Sequence, residues 1–294
     1  MDANADTTPQ QSPEDNIQLS VSEPANEDVD LTKIVLVILT PCYGGMCNIQ
    51  FAKCLLDTSH LCRNHGIKLA FIECAGDSLV SRARNNLIAK AMSFPGTTHI
   101  MFIDSDIEWN PYDIIKLLKK DKDVIGGCYP KKAFQVSKLL DEKTNVREWV
   151  QKKNQSKIDV ISKTSDEMLV HNKMLDYNLN YLSNELQITN NLIQVKHIAT
   201  GFLLFKKHVI ETMFEKYPET KCTDDVGFVV GDENKNLYAL FDCQVRKDHY
   251  LSEDWLFCER WSDIGGTCFI DITVNLNHIG PCTYYGSLLN SLLV

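Results

Sequence analysis

Asp104-Ser105-Asp106 closes the apolar run "HIMFI" and stands just ahead of a helix-forming stretch. A strand end in an open α/β sheet is the carboxyl edge, where ligands bind. Carboxylates at i and i+2 point the same way on extended backbone. They offer hard oxygens to magnesium or manganese and leave positions open for phosphate oxygens and water. A plainer reading makes the pair a turn or helix cap. In Ser252-Glu253-Asp254-Trp255, Ser252 is a natural N-cap, so Glu253 and Asp254 fall in a first helical turn, where the dipole favours their ionised forms. An ionised carboxylate at a pocket edge can take a proton from a hydroxyl, although first-turn acids also simply stabilise helices. His278, in "NLNHIGPCTYYG", either caps and packs or supplies a neutral imidazole to a cation site begun by two carboxylates. Arg82, Arg84 and Asn85 share the start of one helix. An Arg there either lies on a solvated face or reaches over the strand edge to a diphosphate, which guanidinium suits geometrically.

The elements that position these groups follow from the spacing of apolar residues. "KIVLVILTP" reads as a buried strand ended by Pro41 and Gly44-Gly45, followed by a helix over about 48–64 and a second strand, "KLAFIEC". Asp77 and Ser78 are placed to cap the helix "LVSRARNNLIAKAMSF". "HIMFID" is a third strand, and Asn110 with Pro111 opens the helix "PYDIIKLLKK". "DVIGGCYP" gives a fourth strand and a turn. Strands alternating with helices predict a mostly parallel central sheet flanked by helices on both faces. Residues 135–194 are polar, rich in Lys and Asn and partly helical, as an insertion or lid would be. Regular structure resumes in "HIATGFLLFKKHVIETMF", then a further strand in "YALFDCQV", the "SEDW" helix and a last strand in "TCFIDITVNLNHIG".

Composition narrows the class. The first thirty residues hold eight acidic side chains and no Lys or Arg, which predicts a disordered acidic tail over 1–30 ahead of one catalytic domain over 31–294. Setting those eight aside leaves 31 acidic against 30 basic residues, so a near-neutral body gives no reason to expect nucleic acid as a partner. No stretch approaches the roughly 20 apolar residues of a membrane span. The eleven cysteines are scattered without a C-x-x-C pair, and the amino terminus lacks a secretory pattern; together these suggest a reduced, cytoplasmic setting. Abundant Asn, Lys and Ile match an AT-rich genome such as that of a large DNA virus, which would make the compartment the host cytoplasm.

The order of motifs resembles the glycosyltransferase family 2-like group of the GT-A superfamily, nucleotide-sugar transferases. The resemblance rests on "TPCYGG" ending the first strand, "SRARN" on a helix, "FIDSD", "ATGFLLFKKHVIE", "SEDWLFCERW" and "NHIG", in that order over about 33–286, with the tail and 135–194 outside it. Each motif is short; six in sequence form a strong combined signal. The resemblance implies a GT-A fold and donor contacts from Thr40, Pro41, Tyr43, Glu73, Arg84 and Ser105, with Asp77 competing with Glu73 for the nucleoside. It implies that Asp106 ligates Mn2+ (or Mg2+), that Asp104 contacts ribose or the metal, that His278 completes the metal site and that Asp254 is the catalytic base. Arg82, Glu253 and Trp255 are secondary candidates.

The expected reaction is an inverting, metal-dependent transfer of a hexosyl or N-acetylhexosaminyl group. The donor would be a nucleotide sugar, a UDP-sugar before others, and the acceptor hydroxyl would lie on a glycan, protein or lipid. A nucleotidyltransferase on a similar sheet would want a basic residue in the glycine-rich loop after the first strand, and none occurs before Lys53. A non-catalytic carbohydrate-binding relative need not fill every acidic and His position the chemistry requires, yet all are filled here.

Overall fold

Along Val35–Cys42, Val37 and Leu39 pack into one apolar cluster while Leu36 and Ile38 pack into another on the opposite face. A strand covered on both sides has no solvent face to encode, which is why its sequence is a continuous apolar run. The computed structural model describes residues 29–141 and 144–294 and the backbone of 17–20. The main sheet runs Ile17–Ser20, Leu186–Thr189, Leu192–Ile198, Cys268–Asp271, Val124–Gly126, Phe202–Lys206, His99–Ile103, Val35–Cys42 and Lys68–Ala75, with Leu179–Tyr181 also paired to Leu192–Ile198. The helices Val80–Ser93, Lys207–Lys216 and Glu253–Asp263 bury their apolar sides in one cluster, and Ile49–Asn64 and Pro111–Lys119 bury theirs in the other.

The central sheet is large and mixed, with a parallel part at its core. Val35–Cys42 is parallel to both neighbours, and Val124–Gly126 is parallel to Cys268–Asp271. Phe202–Lys206 inserts antiparallel between His99–Ile103 and Val124–Gly126. Residues 135–194 form the helices Ser137–Leu140, Val146–Gln155, Asp159–Ser162 and Asp166–Lys173 and several short strands. Asp166–Lys173 docks on the last segment of the chain: Asn172 Nδ2 donates to Tyr285 O at 2.7 Å and Lys173 Nζ to Ser291 O at 2.9 Å.

Three further expectations meet the structure. Most of the tail over 1–30 lies outside the described residues; within it, Ile17–Ser20 pairs in parallel with Leu186–Thr189. "YALFDCQV" is not one strand. Its buried part crosses the molecule irregularly, with side chains satisfying the backbone: Arg260 Nη1 donates to the carbonyls of Ala239 and Leu240 at 2.7 Å each, and Asn85 exchanges two hydrogen bonds with Phe241 at 2.6 and 2.8 Å. Tyr238 makes an isolated antiparallel bridge with Lys221, and the strand Gln244–Arg246 forms a hairpin with His249–Leu251. The second helix begins at Val80, and Asp77 caps only in the loose sense that its carboxylate accepts from Leu79 N at 2.9 Å.

Candidate active site

The carboxyl edge of the parallel strands opens into a cleft of about 320 Å³ lined by Pro41, Tyr43, Asp77, Ser78, Val80, Arg84, Asp104, Ser105 and Asp106. Tyr43 stands at its lip, 76% exposed, beside a turn in which Gly44 and Gly45 take φ values of 76° and 67°. Glycine, lacking a Cβ, adopts such left-handed conformations at no steric cost.

Arg84 forms the inner wall. From the buried side of the helix Val80–Ser93 its Nη2 reaches Asp104 Oδ1 at 3.1 Å and Oδ2 at 3.3 Å, and its Nε reaches Glu253 Oε1 at 3.3 Å. The guanidinium packs over the Phe102 ring, 5.1 Å from its centroid, and Nη1 is buried without a partner among the described residues. Burial works to lower the pKa of Arg84, but the charges of Asp104 and Glu253 outweigh it and hold the pKa above its ordinary value.

Asp106 faces the other way. Its Oδ2 lies 3.5 Å from His278 Nε2 and accepts from Lys132 Nζ at 2.6 Å. The three-stranded sheet Ile107–Glu108, Asn277–Ile279 and Thr283–Tyr285 sets this approach, with His278 directly opposite Ile107 and Ile279 N donating to Asp106 O at 2.8 Å. Burial would raise the Asp106 carboxyl; hydrogen bonds and charge from His278 and Lys132 overcome that and bring it down to about 2. His278 Nδ1 lies 2.8 Å from Pro130 O, so that nitrogen carries the hydrogen.

Asp254 sits beside Glu253 in the first turn of Glu253–Asp263 and is only 8% exposed. Ser252, expected to cap the helix backbone, instead donates its hydroxyl to Asp254 Oδ1, which also accepts from Trp255 N at 2.9 Å. Oδ2 has no protein donor among the described residues. Burial, the largest influence, raises the pKa of Asp254 despite the Ser252 hydrogen bond.

The remaining candidates divide. Pro41, Tyr43, Ser105 and Asp77 line the cleft, although Asp77 is committed to a two-point ion pair with Arg82 at 2.7 and 2.9 Å. Thr40 is wholly buried with its hydroxyl unpartnered among the described residues, and Glu73, its register partner, is exposed on the edge strand. Trp255 stacks on His197, with centroids 4.8 Å apart and planes 8° apart. Asp104 is turned to Arg84, and no group of three His, Cys, Asp or Glu side chains placed to hold a metal occurs among the described residues.

Sequence reasoning missed Tyr129 and Lys132. Tyr129 is buried with its ring 5.0 Å from that of His278, and its hydroxyl is pushed well up by burial and then by the charge of Asp104. A Cβ on residue 201 would meet its Oη at 2.6 Å, so Gly201 leaves the space it fills. Both residues follow the strand Val124–Gly126 in "GGCYPKK", and their position past a strand end was the available signal.

No helix among the described residues is long and apolar enough to cross a membrane. No curated protein matches the chain. The crystal structure of A197 from STIV aligns with a TM-score of 0.43 at 9% identity, covering 84% of this chain and 86% of that one. Residues 77–218 match the Anp1 family model, a match that runs through the 135–194 stretch left outside the motif resemblance. Over that span, from the helix bearing Arg84 to the one after Phe202–Lys206, the chain is similar to a glycosyltransferase-like domain.

Proposed function

We propose that this protein transfers a sugar, with inversion, from a nucleotide-diphosphate donor to an acceptor hydroxyl on a glycan, protein or lipid, using Mn2+ or Mg2+. One observation carries the reading. Asp104 and Asp106, at one strand end, reach Glu253 through Arg84 on one side and His278 directly on the other. Four segments distant in sequence thus meet at the sheet edge where α/β folds bind ligands.

The donor set fits a cation. With Nδ1 committed to Pro130 O, Nε2 is the nitrogen that faces Asp106 Oδ2, and once deprotonated it can give its lone pair to an ion. The two atoms lie 3.5 Å apart, and imidazole with carboxylate suits manganese or magnesium. Asp106 and His278 would be the protein ligands, leaving the other positions to diphosphate oxygens and water. When bound, such an ion offsets the charge that builds on a departing diphosphate.

Arg84 and Tyr43 then orient the donor in the cleft, the first by its charge at the inner wall and the second by its exposed ring. Asp254 receives the acceptor's proton at Oδ2, its affinity for that proton raised by burial. The glycosyltransferase-like match over 77–218 supports the same class.

A thermal-shift panel of UDP-sugars, GDP-mannose and the free nucleoside diphosphates, with and without manganese, tests the proposal. A true donor raises the melting temperature in step with the logarithm of its concentration. If no nucleotide shifts it under either condition, the proposal fails.

A further inference from the structure

Asp106 Oδ2 already holds a cation of the protein's own. Lys132 Nζ lies 2.6 Å away, closer than His278 Nε2, and Asp106 is the only hydrogen-bond partner of that ammonium among the described residues. The strand Pro130–Phe134 serves both groups: Pro130 O fixes the imidazole, and Lys132, two residues on, delivers the ammonium to the same carboxylate oxygen. The lysine stem runs over Gly280, where an added Cβ would come within 3.0 Å of Lys132 Cδ. The absent side chain at 280 is therefore what leaves the stem its path.

A divalent ion between Asp106 and His278 would stand against this ammonium, and in a partly desolvated site their repulsion is large. That repulsion disfavours both sharing Oδ2. The lysine side chain is 32% exposed and flexible, so it can leave. An arriving diphosphate brings several anionic oxygens into a cleft that Asp106 lines, and these are better acceptors than a carboxylate already shared with a metal.

Resting on the transferase reading above, we propose that Lys132 is an exchangeable plug. It neutralises Asp106 in the free protein, gives that carboxylate up to the divalent ion, and moves its ammonium onto the donor diphosphate. Metal and diphosphate then assist each other's binding, since each makes the displacement of Lys132 easier for the other, and the coupling is reciprocal.

Calorimetry on wild type and Lys132→Met tests this with Mn2+ alone, and with UDP or GDP alone in the presence of a chelator. Methionine keeps a stem over Gly280 and removes the charge. The expected pattern is opposed: about tenfold tighter Mn2+ and about tenfold weaker nucleotide in the variant, within the usual range of such couplings. Lys132→Arg, which keeps the charge, should return both affinities toward wild type. If wild type binds Mn2+ and nucleotide but Lys132→Met changes neither, or weakens both, the plug is refuted and the transferase reading stands. If wild type binds neither Mn2+ nor either nucleotide, both fall together.

Discussion

Arg84 Nη2 lies 3.1 Å from Asp104 Oδ1, and the guanidinium that makes this contact is 4% exposed. Its Nε holds Glu253, so one buried cation separates two carboxylates drawn from opposite halves of the chain. Removing one member of such a group is far more damaging than never having built it. Arg84→Gln should therefore lower stability by about 3–5 kcal/mol, read as a lower urea midpoint. An unchanged midpoint would show that Asp104 and Glu253 tolerate each other without it.

Asp254→Asn separates chemistry from binding. Transfer should fall by about 10²–10⁴-fold, while nucleotide affinity stays within about twofold of wild type. Burial raises the pKa of Asp254, so kcat/KM should rise with pH along a limb displaced upward from that of an ordinary aspartate. That limb should vanish in the variant. The raised pKa also means that ionisation of Asp254 works against folding, and stability from this group declines as pH climbs through its native pKa. Asp254→Asn accordingly should not lower the melting temperature at neutral pH.

Asp106 has the opposite sign. Its native pKa of about 2 lies below the ordinary aspartate value, so its contribution to stability is complete above about pH 4. It should be lost progressively as pH falls from there toward 2. An acid titration followed by circular dichroism should show this loss in wild type and its absence in Asp106→Asn. Identical acid profiles would mean that Lys132 and His278 do not hold the carboxylate in solution.

Gly201→Ala probes the packing behind the site. The new methyl would meet Tyr129 Oη at 2.6 Å and force aside a ring that abuts His278. Overpacking of this kind costs about 1–3 kcal/mol. Manganese affinity should weaken along with the urea midpoint, because the imidazole loses its backing. A loss of stability with unaltered manganese binding would confine Tyr129 to a packing role.

Local signals exposed much of this architecture. Continuous apolar runs marked the strands buried on both faces, and Asn110 with Pro111 marked a helix start that the Asn110 side chain does cap, accepting from Tyr112 N at 3.1 Å. Asp104, Asp106 and Asp254 could be picked out because each sits at a strand end or in a helix's first turn. Other features depend on partners far away in sequence. Lys132 matters through Asp106, and His278 is oriented by Pro130, 148 residues distant. The apolar segment around Phe241 looked like a strand because nothing in its own residues reveals that Arg260 and Asn85 take over its backbone hydrogen bonds. Thr40 and Glu73 are neighbours in register, yet one is sealed under the sheet edge and the other faces out, a distinction that alternation along a single strand cannot convey.

The small sheet joining Ile107–Glu108 to Asn277–Ile279 has a consequence for biogenesis. Val35–Cys42, Lys68–Ala75, His99–Ile103 and Phe202–Lys206 can find one another while translation is still under way, but the imidazole that meets Asp106 is added some 170 residues after it. At ribosomal speeds of about 5–20 residues per second, a nascent chain spends roughly 9–34 s with its aspartates in place and no partner at 278. On the transferase reading proposed above, a stalled or clipped product lacking this late strand would be without the imidazole of the cation site even where its core has folded.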